Sequence, residues 1–331
     1  MYPSVTILVP TKNVAPYIDA VLQSIFDLDY PKDRREIIIL DGNSTDGTLE
    51  IVKKYPVTVY QGEWNVPAFY NHVLPECKGE LIAFGDGDAI VDRQWLNVLV
   101  PHFTDALVAG TGGLCLTANP EHIVPRVIGY ELKARYKRMP KSISRIATMN
   151  VIYRKSVLLE AGGFDERFNT GYDAEIGHRI RKAGYLIHFD PHAVVYHYNR
   201  PTIKAYFRQQ FTYGRNVAGM YLQKTNIARG DEVTPVWMNI QPFVYAFIAL
   251  AFTLSLIMPL AGIIGLILLA GLFLAYSVSA IRLCITEKDA SALFLIVLFF
   301  IRGIGWTAGG AWFVLSSVKK QGRKKSEGTG V

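Results

Sequence analysis

Asp86 and Asp88 are separated by one glycine and stand just beyond the apolar run Leu81-Ile82-Ala83-Phe84. A strand that stops there presents two carboxylates at one sheet edge, and the small residue between them admits a ligand closely. Paired hard oxygen ligands suit a divalent cation, and such a cation commonly serves phosphates. A polar turn explains the same Gly-Asp and Asp-Gly dipeptides. The decision therefore rests on what gathers at the neighbouring strand ends.

Two further polar clusters precede this one. Thr11, Lys12 and Asn13 follow the apolar run Val5–Pro10, and Asp41, Asn43, Ser44 and Asp46 follow Glu36–Leu40. The pattern predicts a helix from about Pro16 to Asp27, with Ile18, Val21, Leu22 and Ile25 on one face. A second helix is expected through Lys54, with Ser44 or Asp46 as its N-cap. Val57–Tyr60 reads as a third strand and Pro67–Leu74 as a helix. Strand–helix alternation of this kind gives an α/β domain with a parallel sheet and ligands at the carboxyl ends of its strands. Three polar clusters on successive strand ends point to a nucleotide-type site. No G-x-G-x-x-G follows the first strand and no G-x-x-x-x-G-K-[ST] loop occurs, so neither of those phosphate-binding devices is in use.

The composition changes late in the chain. The 331 residues carry a formal charge of +7, yet Val233 to Ile281 contains no Asp, Glu, Lys or Arg. A membrane-crossing helix needs about 20 apolar residues. Spans are expected at about 243–258, 262–282 and 290–317, the first two forming a hairpin turned at Pro259–Gly262. Arg302-Gly303 interrupts the third, which either crosses once or breaks and re-enters. The tail 319–331 is strongly basic, which favours the cytosol, whereas three crossings place it opposite the N-terminal domain. The three scattered cysteines, Cys77, Cys115 and Cys284, form no CxxC pair and fit a reducing compartment. Met1-Tyr2-Pro3-Ser4 lacks the basic n-region of a signal peptide.

Together, Val9-Pro10-Thr11-Lys12-Asn13, Asp41-Gly42-Asn43-Ser44-Thr45-Asp46-Gly47-Thr48 and Gly85-Asp86-Gly87-Asp88 resemble the family 2 glycosyltransferases of GT-A fold. The resemblance continues through Gly162–Phe168 and Asp173–Arg179, covering about residues 4–215, and is nearest to membrane-attached members that build exopolysaccharides or lipid-linked glycans. It implies a Rossmann-like mixed sheet over residues 1–200, interface helices and linker over 201–240, transmembrane helices over 241–318, and then the tail. It also implies roles. Asp41 would hold the base or ribose, with Pro10, Thr11, Asn13, Asn43, Ser44 and Asn71 lining the nucleotide pocket and Asp86 on the sugar or ribose side. Asp88 would bind a divalent cation, Mg²⁺ or Mn²⁺, on the diphosphate. Asp173 occupies the place of the catalytic base. The chain departs from many members in having Leu40 before Asp41 and Tyr172 before Asp173, where a further acid is common.

Asp173 at the start of a helical stretch also reads as a helix cap. His197, after Ala193–Tyr196, is a candidate metal ligand or a structural histidine. Asn150 is placed on the acceptor side or at a plain strand edge. Pro201–Leu222 has helical apolar spacing with Lys204, Arg208 and Arg215 interleaved, fitting a helix on a membrane surface or one packed against protein. Gln210 and Arg215 lie in a stretch distantly similar to the Q-x-x-R-W motif of processive synthases and are assigned to the diphosphate side. The basic stretch from Arg126 to Arg145 suits lipid head groups or a phosphate-bearing acceptor, and no nucleic-acid motif accompanies it.

The expected protein is an inverting, metal-dependent glycosyltransferase, multi-pass in the membrane with its catalytic domain on the cytoplasmic side, and an oligomer is compatible with the sequence. It would move a sugar from a UDP- or GDP-sugar to a polyprenyl phosphate or polyprenyl-diphosphate glycan. A polysaccharide synthase that also exports its product, or a non-catalytic nucleotide-sugar-binding scaffold, are the alternatives.

Overall fold

The first strand, β1 (Val5–Thr11), is largely apolar and almost wholly buried because both faces of its sheet are covered. It lies parallel to β2 (Arg35–Asp41) in a register that sets Thr11 opposite Asp41. On its other side it lies parallel to β4 (Leu81–Phe84). The ladder runs on past the strand, with Gly85 N donating to Leu8 O at 3.0 Å and Gly87 N to Pro10 O at 3.2 Å. In the computed structural model the described residues are 2–222 and 230–327; side chains are described as far as Gly219 in the first segment and Ser317 in the second.

Helix α1 (Ala15–Phe26) buries Ile18, Val21, Leu22 and Ile25, the four residues that share a face in the sequence. Each such side chain contributes about 2 kcal/mol of burial. Beyond β2 come α2 (Thr48–Val52), β3 (Thr58–Gln61) and α3 (Val66–Val73). Gly47 is the N-cap of α2; Asp46, one residue earlier, accepts from Thr48 N at 3.2 Å and from Ala15 N at 3.0 Å.

Beyond β4 the order is β5 (Ala89–Val91), α4 (Trp95–Leu99), β6 (Val108–Thr117), α5 (Ile123–Tyr136), β7 (Val151–Arg154), α6 (Lys155–Glu160), α7 (Tyr172–Lys182) and β8 (Leu186–His197). One eight-stranded mixed sheet results, in the order β3-β2-β1-β4-β7-β6-β8-β5. β1 to β4, the strands read from the N-terminal sequence, pair in parallel with one another, and β6 is parallel to β8. β7 is antiparallel to β4 and to β6, and β5 is antiparallel to β8.

The chain divides into two compact units, residues 1–120 with 132–199, and 121–131 with 200–331. The second contains α8 (Ile203–Leu222), α9 (Val236–Leu254), α10 (Pro259–Glu287) and α11 (Leu295–Glu327). Three stretches, Val236–Leu254, Pro259–Glu287 and Ala290–Ser317, are long and apolar enough to cross a membrane. The break between α9 and α10 falls at Ser255–Met258 rather than at Pro259–Gly262, because proline is at ease in the first turn of a helix, where its missing N–H has no partner to lose. α11 passes through Arg302-Gly303 unbroken. The side chains of the basic tail from Lys319, and the linker residues 223–229, lie outside the described residues.

Candidate functional site

The register of β1 and β2 brings Thr11 and Asp41 together. Thr11 Oγ1 donates to Asp41 Oδ1 at 2.9 Å. Ser44 gives that carboxylate two more bonds, Oγ to Oδ1 at 2.6 Å and N to Oδ2 at 2.8 Å. Asn13 joins through its N–H to Ser44 Oγ at 2.9 Å, and its Oδ1 accepts from Thr45 N at 2.8 Å. Asp41 is fully buried, so it organises the two loops from below. Asn13 and Asn43 hold left-handed backbones, with φ 53° and 59°, in the loops above it. Pro10 and Thr11 form the last pairs of the same ladder.

Gly87 fits between the acids because of its neighbours. A Cβ there would stand 3.0 Å from Val14 Cγ2, 3.1 Å from Thr11 Cγ2 and 3.2 Å from Pro10 O. The glycine thus lets the acidic loop pack directly on the end of β1. Asp86 is half-buried and Asp88 buried. The pairing of β5 with β8 sets Ala89 opposite His197, which brings His197 Nε2 to 3.2 Å from Asp88 Oδ1. Tyr198 N donates to Asp88 O at 2.9 Å.

Asn199 orders the histidine. Its Oδ1 lies 3.4 Å from His197 Nδ1, its Nδ2 donates to Thr117 Oγ1 at 2.6 Å, and Asn119 exchanges hydrogen bonds with its backbone. An amide oxygen accepts, which assigns a ring proton to Nδ1 and leaves Nε2 facing the Asp88 carboxylate. A ring nitrogen and a carboxylate oxygen 3.2 Å apart are suited to a shared proton or a shared cation, and a nitrogen–oxygen pair fits a first-row divalent ion. Among the described residues no group of three His, Cys, Asp or Glu is gathered for a metal, so further ligands would have to come from a bound diphosphate or water. The residues present fit such an ion on those terms.

Asp173 is in the first turn of α7 and is not its cap. Gly171, with φ 77°, is the N-cap and no side chain bonds the helix start. The aspartate instead faces Arg145, with Arg145 Nη1 2.5 Å from Asp173 Oδ2. Asn71 ties α3 to the Gly162–Phe168 loop, donating to Phe164 O at 2.8 Å and to Glu166 Oε1 at 2.9 Å and accepting from Phe164 N at 2.7 Å. In this structure its amide is engaged with that loop.

Three expected site residues are placed elsewhere. Asn150 is 1 % exposed. Its Oδ1 accepts from Trp95 Nε1 at 2.7 Å and its Nδ2 donates to Leu114 O and Ala193 O at 3.0 and 3.1 Å, so it is a core polar node and not an acceptor-facing group. Gln210 is buried within the second unit, where Trp306 Nε1 donates to its Oε1 at 2.9 Å. Arg215 stacks on Trp312 with 5.6 Å from guanidinium to ring centroid. Both residues join α8 to α11, which removes the ground for assigning them to a diphosphate. Arg145 and Asn199 were missed in the sequence. Arg145 was one of seven basic residues spread over positions 126–145, and Asn199 had no motif around it.

Residues 6–160 match the sequence profile of glycosyl transferase family 2. This chain therefore carries a glycosyltransferase family 2 domain and is a glycosyltransferase. It is 24 % identical over 320 residues to the dolichyl N-acetyl-alpha-D-glucosaminyl phosphate 3-beta-D-2,3-diacetamido-2,3-dideoxy-beta-D-glucuronosyltransferase of Methanococcus voltae, covering 90 % of this chain and 92 % of that protein. It is 27 % identical over 228 residues to glycosyltransferase AglE of Haloferax volcanii, covering 64 % and 72 %. In fold it matches mannosyltransferase PcManGT from Pyrobaculum calidifontis in complex with GDP-Man and Mn²⁺, with a TM-score of 0.59 over 95 % of this chain and 88 % of that one, at 21 % identity. The GT-A fold is thus established for the mixed sheet.

Proposed function

We propose that this glycosyltransferase moves a sugar from a nucleoside-diphosphate donor to a lipid-linked acceptor, polyprenyl phosphate or a polyprenyl-diphosphate glycan, at the cytoplasmic face of a membrane. The observation that carries the reading is the Thr11–Asp41–Ser44 network at the carboxyl ends of β1 and β2 together with the Asp88–His197 pair, on the loop whose Gly87 packs against Thr11 and Pro10. The name of the Methanococcus voltae relative, a dolichyl-linked sugar transferase, supports the lipid acceptor.

In this reading Asp41 holds the loops that Asn13 and Asn43 present to the nucleotide. Asp88 and His197 hold a divalent ion, which when bound offsets charge on the leaving diphosphate. Asp173 accepts the proton of the acceptor oxygen as that oxygen attacks the anomeric carbon. The bond from that carbon to the diphosphate oxygen breaks on the opposite face, so the configuration inverts. Arg145 holds the Asp173 carboxylate in place until an acceptor enters.

The test is transfer by the full-length protein in nanodiscs with Mn²⁺ or Mg²⁺, a panel of UDP- and GDP-sugars and polyprenyl-phosphate acceptors. One donor is expected to be consumed only when a lipid acceptor is present. Binding of nucleotide with no donor consumed on any lipid acceptor overturns the reading.

A further inference from the structure

We infer that only the α9–α10 hairpin crosses the bilayer. Helices α8 and α11 lie side by side in the head-group layer from which the hairpin enters, and the basic C-terminal tail returns to the side on which the chain begins. The inference concerns how the second unit meets lipid. It rests on membrane attachment and not on the reaction.

The first observation is the direction of the α8–α11 pair. Gln210 faces Gly305, Phe211 and Arg215 face Gly309, Gly214 faces Trp306, and Gly219 faces Phe313. Positions advance together on both helices, so the two run parallel. Small residues on each let the backbones approach, and the Trp306–Gln210 hydrogen bond closes the contact. Whatever path α11 takes, α8 takes beside it. Yet α8 carries exposed Lys204 and Arg208, together with Arg215. Each such charge at the centre of a spanning helix costs about 2.5–3.5 kcal/mol. A descent of α11 through hydrocarbon would carry these three charges down with it.

The second observation is where α11 touches the hairpin. Phe299 and Phe300 pack on Tyr276, each with centroids 5.1 Å apart. Gly303 sits against Tyr245, and Thr307 Oγ1 donates to Pro242 O at 3.2 Å. Tyr245 and Pro242 belong to the early part of α9, and Tyr276 to the later part of α10, so these contacts fall toward the hairpin's open end, away from Ser255–Met258. From Gly309 to Phe313 the contacts described above are with α8. The lower faces of α9 and α10, with Phe247, Leu250, Leu266 and Ile267 exposed, are left for lipid.

The third observation is the chemistry at that open end. Gln241 Nε2 donates to Tyr276 OH at 2.5 Å, and Tyr245 OH lies 3.3 Å from it. Arg302, with a side chain 5 % exposed, reaches Glu131 at 3.7 Å and lies over the rings of Phe299 and Trp237 at 4.3 and 5.3 Å. Asp289 accepts from Tyr130 OH at 2.8 Å and pairs with Arg126 at 3.5 Å. Tryptophan, tyrosine and paired charges are the residues of a membrane–water boundary. The charge-free tract Val233–Ile281 supplies the hydrocarbon crossing on either side of the hairpin turn. Two crossings also satisfy the basic tail, whose positive charge favours the side where translation occurs.

The experiment uses the full-length protein in its own membrane. An N-terminal epitope and a C-terminal reporter, green fluorescent protein in one fusion and alkaline phosphatase in another, report the two ends. Both are expected on one side, the first reporter fluorescent and the second inactive; termini on opposite sides overturn the inference. Leu256→Cys in a Cys284→Ser background marks the hairpin turn with an impermeant maleimide. It should label only from the side opposite the tail, and labelling from the tail's side refutes the crossing. A spin label at Val314→Cys should report head-group depth, and a mid-bilayer depth refutes the interfacial placement of α11.

Discussion

Arg145 Nη1 stands 2.5 Å from Asp173 Oδ2, with the two side chains 12 % and 14 % exposed. The residue assigned to proton abstraction is thus held by a cation from a loop more than twenty positions earlier in the chain. One carboxylate oxygen is directed to that cation, so the other is the one an acceptor hydroxyl can approach. Asp173→Asn is expected to keep donor binding and to lower turnover by about 10²–10⁴-fold. Unchanged turnover would show that Asp173 is not the base.

Arg145 itself is testable. Arg145→Met leaves a nearly buried carboxylate without its partner, at a cost of about 3 kcal/mol. Arg145→Lys restores charge without the two-pronged fork and should recover most of the stability and less of the turnover. Thermal unfolding and turnover measured on both variants check this. Equal turnover in the lysine variant and the parent would reduce Arg145 to a structural ion pair.

The metal role proposed for the Asp88–His197 pair predicts metal-dependent transfer. Chelation should abolish transfer and Mn²⁺ should restore it. His197→Ala is expected to raise the Mn²⁺ concentration needed for half-maximal transfer, and Asn199→Leu, which frees the ring it orders, should weaken Mn²⁺ by about 10-fold or more. Titration of Mn²⁺ by electron paramagnetic resonance measures this without turnover. An unaltered titration in both variants would remove His197 from the metal.

His188 gives a pH signature. Its Nδ1 is buried without a hydrogen-bond partner, and burial first, with the neighbouring His102 second, holds its pKa below the ordinary value of 6.5. The unfolded chain then takes up the proton more readily than the fold. Stability is present above the unfolded value and is lost as pH falls through it toward the folded one. The fall in Tm between neutral and mildly acidic pH should be shallower in His188→Gln than in the parent. Parallel curves would mean that the imidazole titrates equally in both states.

Burial, with Asp86 and Asp88 adding to it, pushes the Cys115 thiol up to about 12, and burial does the same for Cys77. Both should stay silent toward a thiol reagent at mildly alkaline pH in the native protein and react once it is unfolded. Rapid native labelling of Cys115 would place it outside the core described above.

Much of the β1–β4 part of the sheet was legible in the sequence because its strands are largely apolar runs, most of which end in polar clusters. β1, β2, β3 and β4 fall within a residue or two of the expected limits, and the buried face of α1 is the expected one. The rest of the sheet, where parallel and antiparallel pairs mix, was not legible. β5, β6 and β7 pair with partners far along the chain, and no local period encodes that pairing. The same reason hid Arg145 and Asn199, whose meaning lies in contacts across loops. Asn150 misled because a polar residue beside a strand looks the same in sequence whether it faces solvent or closes a gap in the core. Gln210 misled because a likeness to a motif outweighed its helical position, from which it meets Trp306.

Helix α5 begins among the residues that group with the C-terminal helices and ends in the sheet unit. A truncation after Asn199 would retain Arg126, Tyr130 and Glu131 while discarding Asp289 and Arg302, leaving a flap stripped of its partners. Solubilising this enzyme therefore calls for redesign of residues 121–131 as well as removal of the anchor. For the same reason, an anchor exchanged between related enzymes would have to travel with that short internal segment, so the two pieces are expected to change together in descent although they lie far apart in the gene.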